Sequence, residues 1–271
     1  HTLVAASLLM WAGYHRRAGE VAKADPIEVR ALEIYQRALE KARTKGAVGL
    51  VGVQINRTGM INIRLSRGEL KEAEALLEAS IRDREQQAKA AKTPYHRSGV
   101  ANLNNYFNLV DLYRQQKRYR KALKVLDRIA RIQKDSWGKN FSNNSMWSRA
   151  RILFEMGDNK AAHQVFKALL KGRKEIYGPR HPYVGYALEG LARSAMGSDR
   201  GSDALKHLKT SLEMTEEEIK LHLAIGNESD NRAFIRSKAY QVDLAVSLHH
   251  GYLRDQEEAA RVALETVLRR K

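Results

Sequence analysis

The chain has 271 residues, a formal net charge of +17, four prolines and no cysteine. The missing cysteines exclude disulfides, thiolate metal ligands and a cysteine nucleophile within these residues, and point to a reducing, cytoplasmic setting. No apolar run reaches the roughly 18 residues that a helical membrane span requires, so no membrane partner is expected.

Long windows rich in Ala, Leu, Glu, Lys and Arg, with almost no alternating Val, Ile or Thr, predict an all-α chain. The first helix is expected over 2–18. The apolar opening before residue 13 has no basic leader and no evident processing site, so it reads as the inward face of that helix. Because the chain opens on His1 rather than methionine, it is expected to be a trimmed piece of something longer. A second helix is expected over 26–43, with Asp25 as its cap, Pro26 in its first turn and Lys45-Gly46 as its stop. The next pair spans 47–67 and 69–89, with Gly68 at the turn. Pro94, Pro179 and Pro182 fall between such pairs.

The stretch 103–135 carries the clearest pattern. Tyr106, Leu109, Val110 and Tyr113 share one helical face, Gln115 to Arg118 interrupt it, and Ala122, Leu126 and Ile129 resume on a second helix. Neither amphipathic helix can hide its stripe alone, so the pair calls for neighbours. Further pairs are expected over 142–156 with 159–177, Gly157-Asp158 between them, and over 182–196 with 202–224.

A small residue early in each second helix marks the repeat: Ala31, Ala73, Ala122, Ala162 and Ala204, separated by 42, 49, 40 and 42 residues. The order bulky residue, apolar pair, aromatic, small residue resembles the tetratricopeptide repeat. The long period and the turn Tyr177-Gly-Pro-Arg-His-Pro-Tyr-Val184 are similar to the kinesin-light-chain-like variant of that family. The resemblance covers about residues 20–220. It departs at Arg64 and Ala195, where the second and fifth units lack the expected aromatic. It implies a right-handed α-solenoid of about five helix-turn-helix units over 1–224. From Gly226 onward, residues including Val242, Asp243, Leu244, Ser247, Leu248, Ala259, Ala260 and Ala263 resemble the junction after the repeats of bacterial CHAT-domain proteins, caspase-like peptidases. That resemblance implies a C-terminal helical pair over 225–271 and a peptidase domain following it in a longer parent. The family's catalytic His and Cys have no counterpart here.

The repeat family binds peptides on its concave side, through first-helix residues that point away from the packing stripe. Carried over, these are Asn104, Phe107, Asp111 and Arg114 in the third unit, Asn144, Trp147, Arg151 and Phe154 in the fourth, and Tyr186, Glu189 and Arg193 in the fifth. Aromatics beside arginines suit a partner segment offering apolar anchors and carboxylates. For Trp147 and Phe154, packing against the adjacent unit is the competing role.

Charge suggests another partner. Residues 82–180 hold 23 Lys and Arg against 8 Asp and Glu, a net +15, whereas 1–81 carry +3 and 181–271 carry −1. Lys121, Lys124, Arg128 and Arg131 recur at spacings of three, four and three, a basic stripe that could attract RNA or a ribonucleoprotein, or simply be a solvated outer face. Enzyme chemistry finds no support: no His-Glu-x-x-His, phosphate loop or dinucleotide fingerprint occurs, and no cofactor is implied. His249 and His250 read as exposed loop residues, and Glu216, Glu217 and Glu218 as a charged surface run.

Overall fold

The structure is a computed structural model and describes residues 2–43, 46–90, 103–137 and 143–270. Among them lie thirteen helices and no strand. None is long and apolar enough to cross a membrane. Pro94 and Lys45 lie outside the described residues. The chain forms two compact units, His1–Val125 and Leu126–Lys271.

The first unit holds α1 (Thr2–Arg17), α2 (Val21–Arg43), α3 (Gly46–Ser66), α4 (Leu70–Ala90), α5 (Asn104–Gln115) and the first turns of α6 (Tyr119–Trp137). From α1 to α5 each helix packs on the next, and α1 also reaches α3. This is the stacking expected where no hairpin can bury its own apolar stripe. Tight turns make the reversals. Gly19 and Gly68 have φ of 79° and 74°, a left-handed geometry that costs glycine little.

Pro26 sits differently from the expectation. The turn at Gly19 lets α2 start at once, with the Glu20 carbonyl accepting from the backbone N–H groups of Lys23 and Ala24. Pro26 therefore lies inside the helix. Asp25 is not its cap, because its carboxylate binds the Arg16 guanidinium at 2.8 Å. The same guanidinium holds the buried Glu28 at 2.6 Å. Gly46 opens α3 rather than closing α2.

Ala31, Ala73 and Ala122 are fully buried, as their marker role requires. Tyr106 and Tyr113 of α5 supply more than apolar surface. Their hydroxyls donate to Glu85 and Glu78 of α4, each at 3.0 Å. Burial, and then the Glu78 hydrogen bond, raises the Tyr113 phenol well above its usual pKa. Each ring thus ties its hairpin to the preceding one by packing and by a directional bond.

The second unit holds the rest of α6 with α7 (Asn143–Glu155), α8 (Asn159–Tyr177), α9 (Pro182–Met196), α10 (Gly201–Ile225), α11 (Glu228–Ser237), α12 (Tyr240–Tyr252) and α13 (Glu257–Arg269). Contacts run α7 to α8 to α9 to α10, then α10 to α12 and α12 to α13, while α7 meets α9 and α9 meets α12. So α7, α9 and α12 are successive first helices. The short α11, with no buried residue, precedes the expected C-terminal pair. That pair contributes Leu244, Leu248, Ala259 and Val262 to one core with Ala192, Ala204 and Leu208.

Local chemistry sets these boundaries. The Asp158 side chain caps α8 by accepting from the Ala161 N–H at 3.0 Å. His181 caps α9, with Pro182 in its first turn. Between α8 and α9 the approach is close: a Cβ on Gly190 would run into the Phe166 ring.

Candidate partner-binding face

The candidate residues of the third unit stand on α5. Asn104 and Asp111 are exposed, while Phe107 and Arg114 are half-buried, and the Arg114 Nε lies 3.4 Å from the Asp111 carboxylate. Those of α7 and α9 belong to the other compact unit, where most of them gather at two cavities.

The first cavity encloses about 360 Å³ between Asn144 and Trp147 of α7, Arg173 and Tyr177 of α8, and Tyr183 and Tyr186 of α9. Trp147 packs inward and also faces the cavity. Its ring meets Phe166 edge-on, with centroids 5.6 Å apart, and it also walls the cavity. The Tyr177 turn builds the far side. Gly178, at φ 86°, reverses the chain so that the His181 ring stacks on Tyr177 at 4.7 Å.

The second cavity, of about 350 Å³, is lined by Phe154 of α7, Arg193 and Met196 of α9, and Asp243, Ser247 and Tyr252 of α12. Phe154 also packs on the core of α7, α8 and α9. Arg151 lines neither cavity and is exposed, bonded along its own helix to Glu155 at 3.2 Å.

Glu189 requires a correction. It is 5% exposed and makes internal bonds instead of waiting for a partner. Its carboxylate accepts from the Gln241 Nε2 at 2.7 Å, the Tyr240 hydroxyl at 2.8 Å and the Ser211 hydroxyl at 3.3 Å. Gln241 is fully buried and also donates to the Thr215 hydroxyl at 2.9 Å, while its carbonyl accepts from the Arg270 Nη2 at 2.9 Å. The face that seemed open at Glu189 is covered because α12 stacks there as the next first helix. Tyr186 is also engaged: the buried Lys238 ammonium donates to its hydroxyl at 3.2 Å and to Glu218 at 3.0 Å.

Other expected groupings separate. Glu216 faces Arg269 and Arg270, Glu217 faces Arg180 and Glu218 faces Lys238, so the acidic run serves three different contacts. His249 and His250 lie in the last turn of α12, not in a loop. On α6, Lys121, Lys124 and Arg131 are exposed and Arg128 is half-buried. The Lys121 ammonium sits 5.5 Å from the Tyr113 ring centroid, and the Arg131 Nε points at the Asp127 carbonyl at 3.4 Å.

A cationic cluster joins α8, α9 and α10. The Arg200 Nη1 lies 3.3 Å from the His163 Nε2, which makes that nitrogen the acceptor, and the Nδ1 lies 3.1 Å from the Ser194 hydroxyl. The His207 ring is 6.5 Å away. Burial lowers both histidine pKa values, reinforced by Arg200 at His163 and by His163 at His207; Lys167 and Lys206 add to this, and Asp203 opposes it. With folded values below the unfolded one, the chain takes up these protons more readily when unfolded. Stability present above the ordinary histidine range is therefore lost as pH falls through it. Melting scans from pH 7.5 to 5 should show a steeper decline for the unaltered protein than for a His163→Asn, His207→Gln variant; parallel curves would count against the cluster.

Sequence reasoning missed Arg173, Asp243, Ser247 and Tyr252 as cavity residues, and treated Tyr177 and Tyr183 only as parts of a turn. Their signals were the turn's own aromatics and the i to i+4 step from Asp243 to Ser247 on a sixth hairpin. The 55 residues from Ala204 to Ala259, lengthened by α11, obscured that hairpin.

A family model described as a tetratricopeptide repeat matches residues 146–183, which is α7, α8 and the turn into α9. No curated protein matches the sequence. Among solved structures, the chain is similar to the kinesin-light-chain-type, nearly identical TPR-like repeats of Podosopora anserina. That similarity has a TM-score of 0.58 at 17% identity, over 80% of this chain and 98% of that one. It is also similar to BtubC (BKLC) from P. vanneervenii, with a TM-score of 0.60 at 15% identity, over 89% of this chain and 91% of that one. Tetratricopeptide repeats generally mediate protein–protein interaction. The chain thus carries a TPR-like repeat region in an all-helical, solenoid-type fold whose structural neighbours include kinesin-light-chain-type arrays.

Proposed function

We propose that this chain is a protein-interaction scaffold that binds a segment of a partner protein along the face formed by α7, α9 and α12. The observation that carries this reading is the second cavity, where Phe154 and Arg193 stand opposite Asp243, Ser247 and Tyr252. An apolar anchor, a cation and a carboxylate within one depression suit an extended segment of mixed chemistry. A 12-residue peptide library displayed on phage tests it, selected on the protein and counter-selected on a Phe154→Ala, Arg193→Glu variant. Peptides should be recovered that bind the first and lose at least about tenfold in affinity for the second. Equal binding to both, with melting temperatures matched, would retire the face. Trp147 is a poor probe for this purpose, because removing it also strips packing from Phe166.

The resemblance of the last stretch to CHAT proteins supports a further part of the proposal, that in its parent the array regulates a caspase-like peptidase. A partner lying on a nearest-neighbour stack can change its curvature and so act on a neighbouring domain.

A second reading, binding of RNA or a ribonucleoprotein, is favoured by the +15 carried by residues 82–180. It predicts retardation of a labelled RNA that weakens steeply with salt and vanishes when Lys121, Lys124, Arg128 and Arg131 become Glu. No retardation at low salt would remove it.

A further inference from the structure

We infer that the cavity beside Trp147 is a receptor for a carboxylate on an acidic side chain of an extended partner segment, with Arg173 as its counter-charge. The inference deepens the docking reading of α7 and α9 and rests on it. Arg57, Arg173 and Arg270 are all buried, with exposures of 5%, 6% and 8%. Arg57 holds Asp83 at 2.6 Å and Arg270 holds Glu216. Arg173 has no such companion among the described residues. Its Nη1 donates to the Tyr183 carbonyl at 2.6 Å, and its Nε is buried without a hydrogen-bond partner.

A desolvated guanidinium lacking a counter-ion is costly to maintain. The π faces of Trp147 and Tyr183, 5.1 and 5.5 Å from its central carbon, offset only part of that cost. Burial depresses its pKa, and no carboxylate among the described residues opposes the effect. Among the described residues, the cavity it lines contains no acid either: its other walls there are Asn144, Trp147, Tyr177, Tyr183 and Tyr186. Its volume of about 360 Å³ has room for a carboxyl-bearing side chain together with an apolar neighbour. With Nη1 occupied, Nε, which is closed to solvent, and Nη2 remain without partners among the described residues, and such an edge takes a carboxylate side-on once one is admitted. One guanidinium matches one negative charge; a phosphate monoester would remain under-compensated among four aromatic rings. The net positive charge of residues 82–180 would draw an acidic segment toward this site.

The test uses N-acetyl-phenylalanyl-glutamate amide, titrated into the full chain while the Trp147 indole N–H signal is followed by NMR. The glutamate compound should shift that signal, and its glutamine analogue should bind about tenfold more weakly. Equal affinities, or no shift with either, would overturn the inference on the unaltered protein, without relying on any variant folding. Arg173→Gln should abolish the preference for glutamate, and a preference that survived would assign the charge to another residue. Phenyl phosphate is the competing probe; tighter binding than the glutamate compound would replace carboxylate by phosphate. Failure of these titrations leaves the phage selection on Phe154 and Arg193 to judge the docking face separately.

Discussion

Leu208→Ala is expected to lower the stability of the second unit by about 2–5 kcal/mol, the cost of emptying a fully buried leucine site. Leu208 has no exposed surface and lies in the core shared by α9, α10, α12 and α13. The cavity would open where two hairpins meet, so the loss should reach both. Urea unfolding followed by circular dichroism should show an earlier midpoint. Hydrogen exchange should accelerate in α12 and α13 as well as in α10. Faster exchange confined to α10 would mean that the C-terminal pair is held independently.

The second large effect is expected at Gln241. Gln241→Leu keeps the volume but removes the amide that links Glu189, Thr215 and Arg270. Each buried polar group deprived of its partner costs about 1–3 kcal/mol, so a total near 3 kcal/mol is expected. Glu189 keeps Tyr240 and Ser211, whereas Arg270 keeps Glu216 alone among these contacts. The loss should therefore fall mainly on the end of α13. Arg270→Met in the Gln241→Leu background should recover part of it, because the buried Nη2 left without its Gln241 acceptor is replaced by an apolar chain. Additive losses in the double variant would contradict a shared network.

Much of the helical plan was legible in the sequence because it rests on local rules. The turns at Gly68 and at Gly157-Asp158 and the start of α9 at Pro182 sit where the sequence places them. All five marker alanines are fully buried, since a side chain larger than a methyl would hold neighbouring helices apart. Pro26 misled because Asp-Pro is a helix-start signal wherever a helix begins late, and here the turn at Gly19 starts it early. Glu189 misled for a non-local reason. Its own helix presents it on the free face, and only the stacking of α12 shows that the face is occupied. Arg173 was overlooked because a basic residue near a helix C-terminus ordinarily complements the helix dipole in solvent. Its burial depends on Trp147 and Tyr183, 26 residues before it and 10 after.

The core shared between the repeats and the tail bears on how the gene can be cut. Ending an expression clone at the codon for Ala224, where the repeat-like wording stops, would strip the cover from Ala192, Leu205 and Leu208 and leave a greasy seam open to water. A minimal fragment that keeps that seam covered has to include α12 and α13, which supply Leu244, Leu248, Ala259 and Val262 to it.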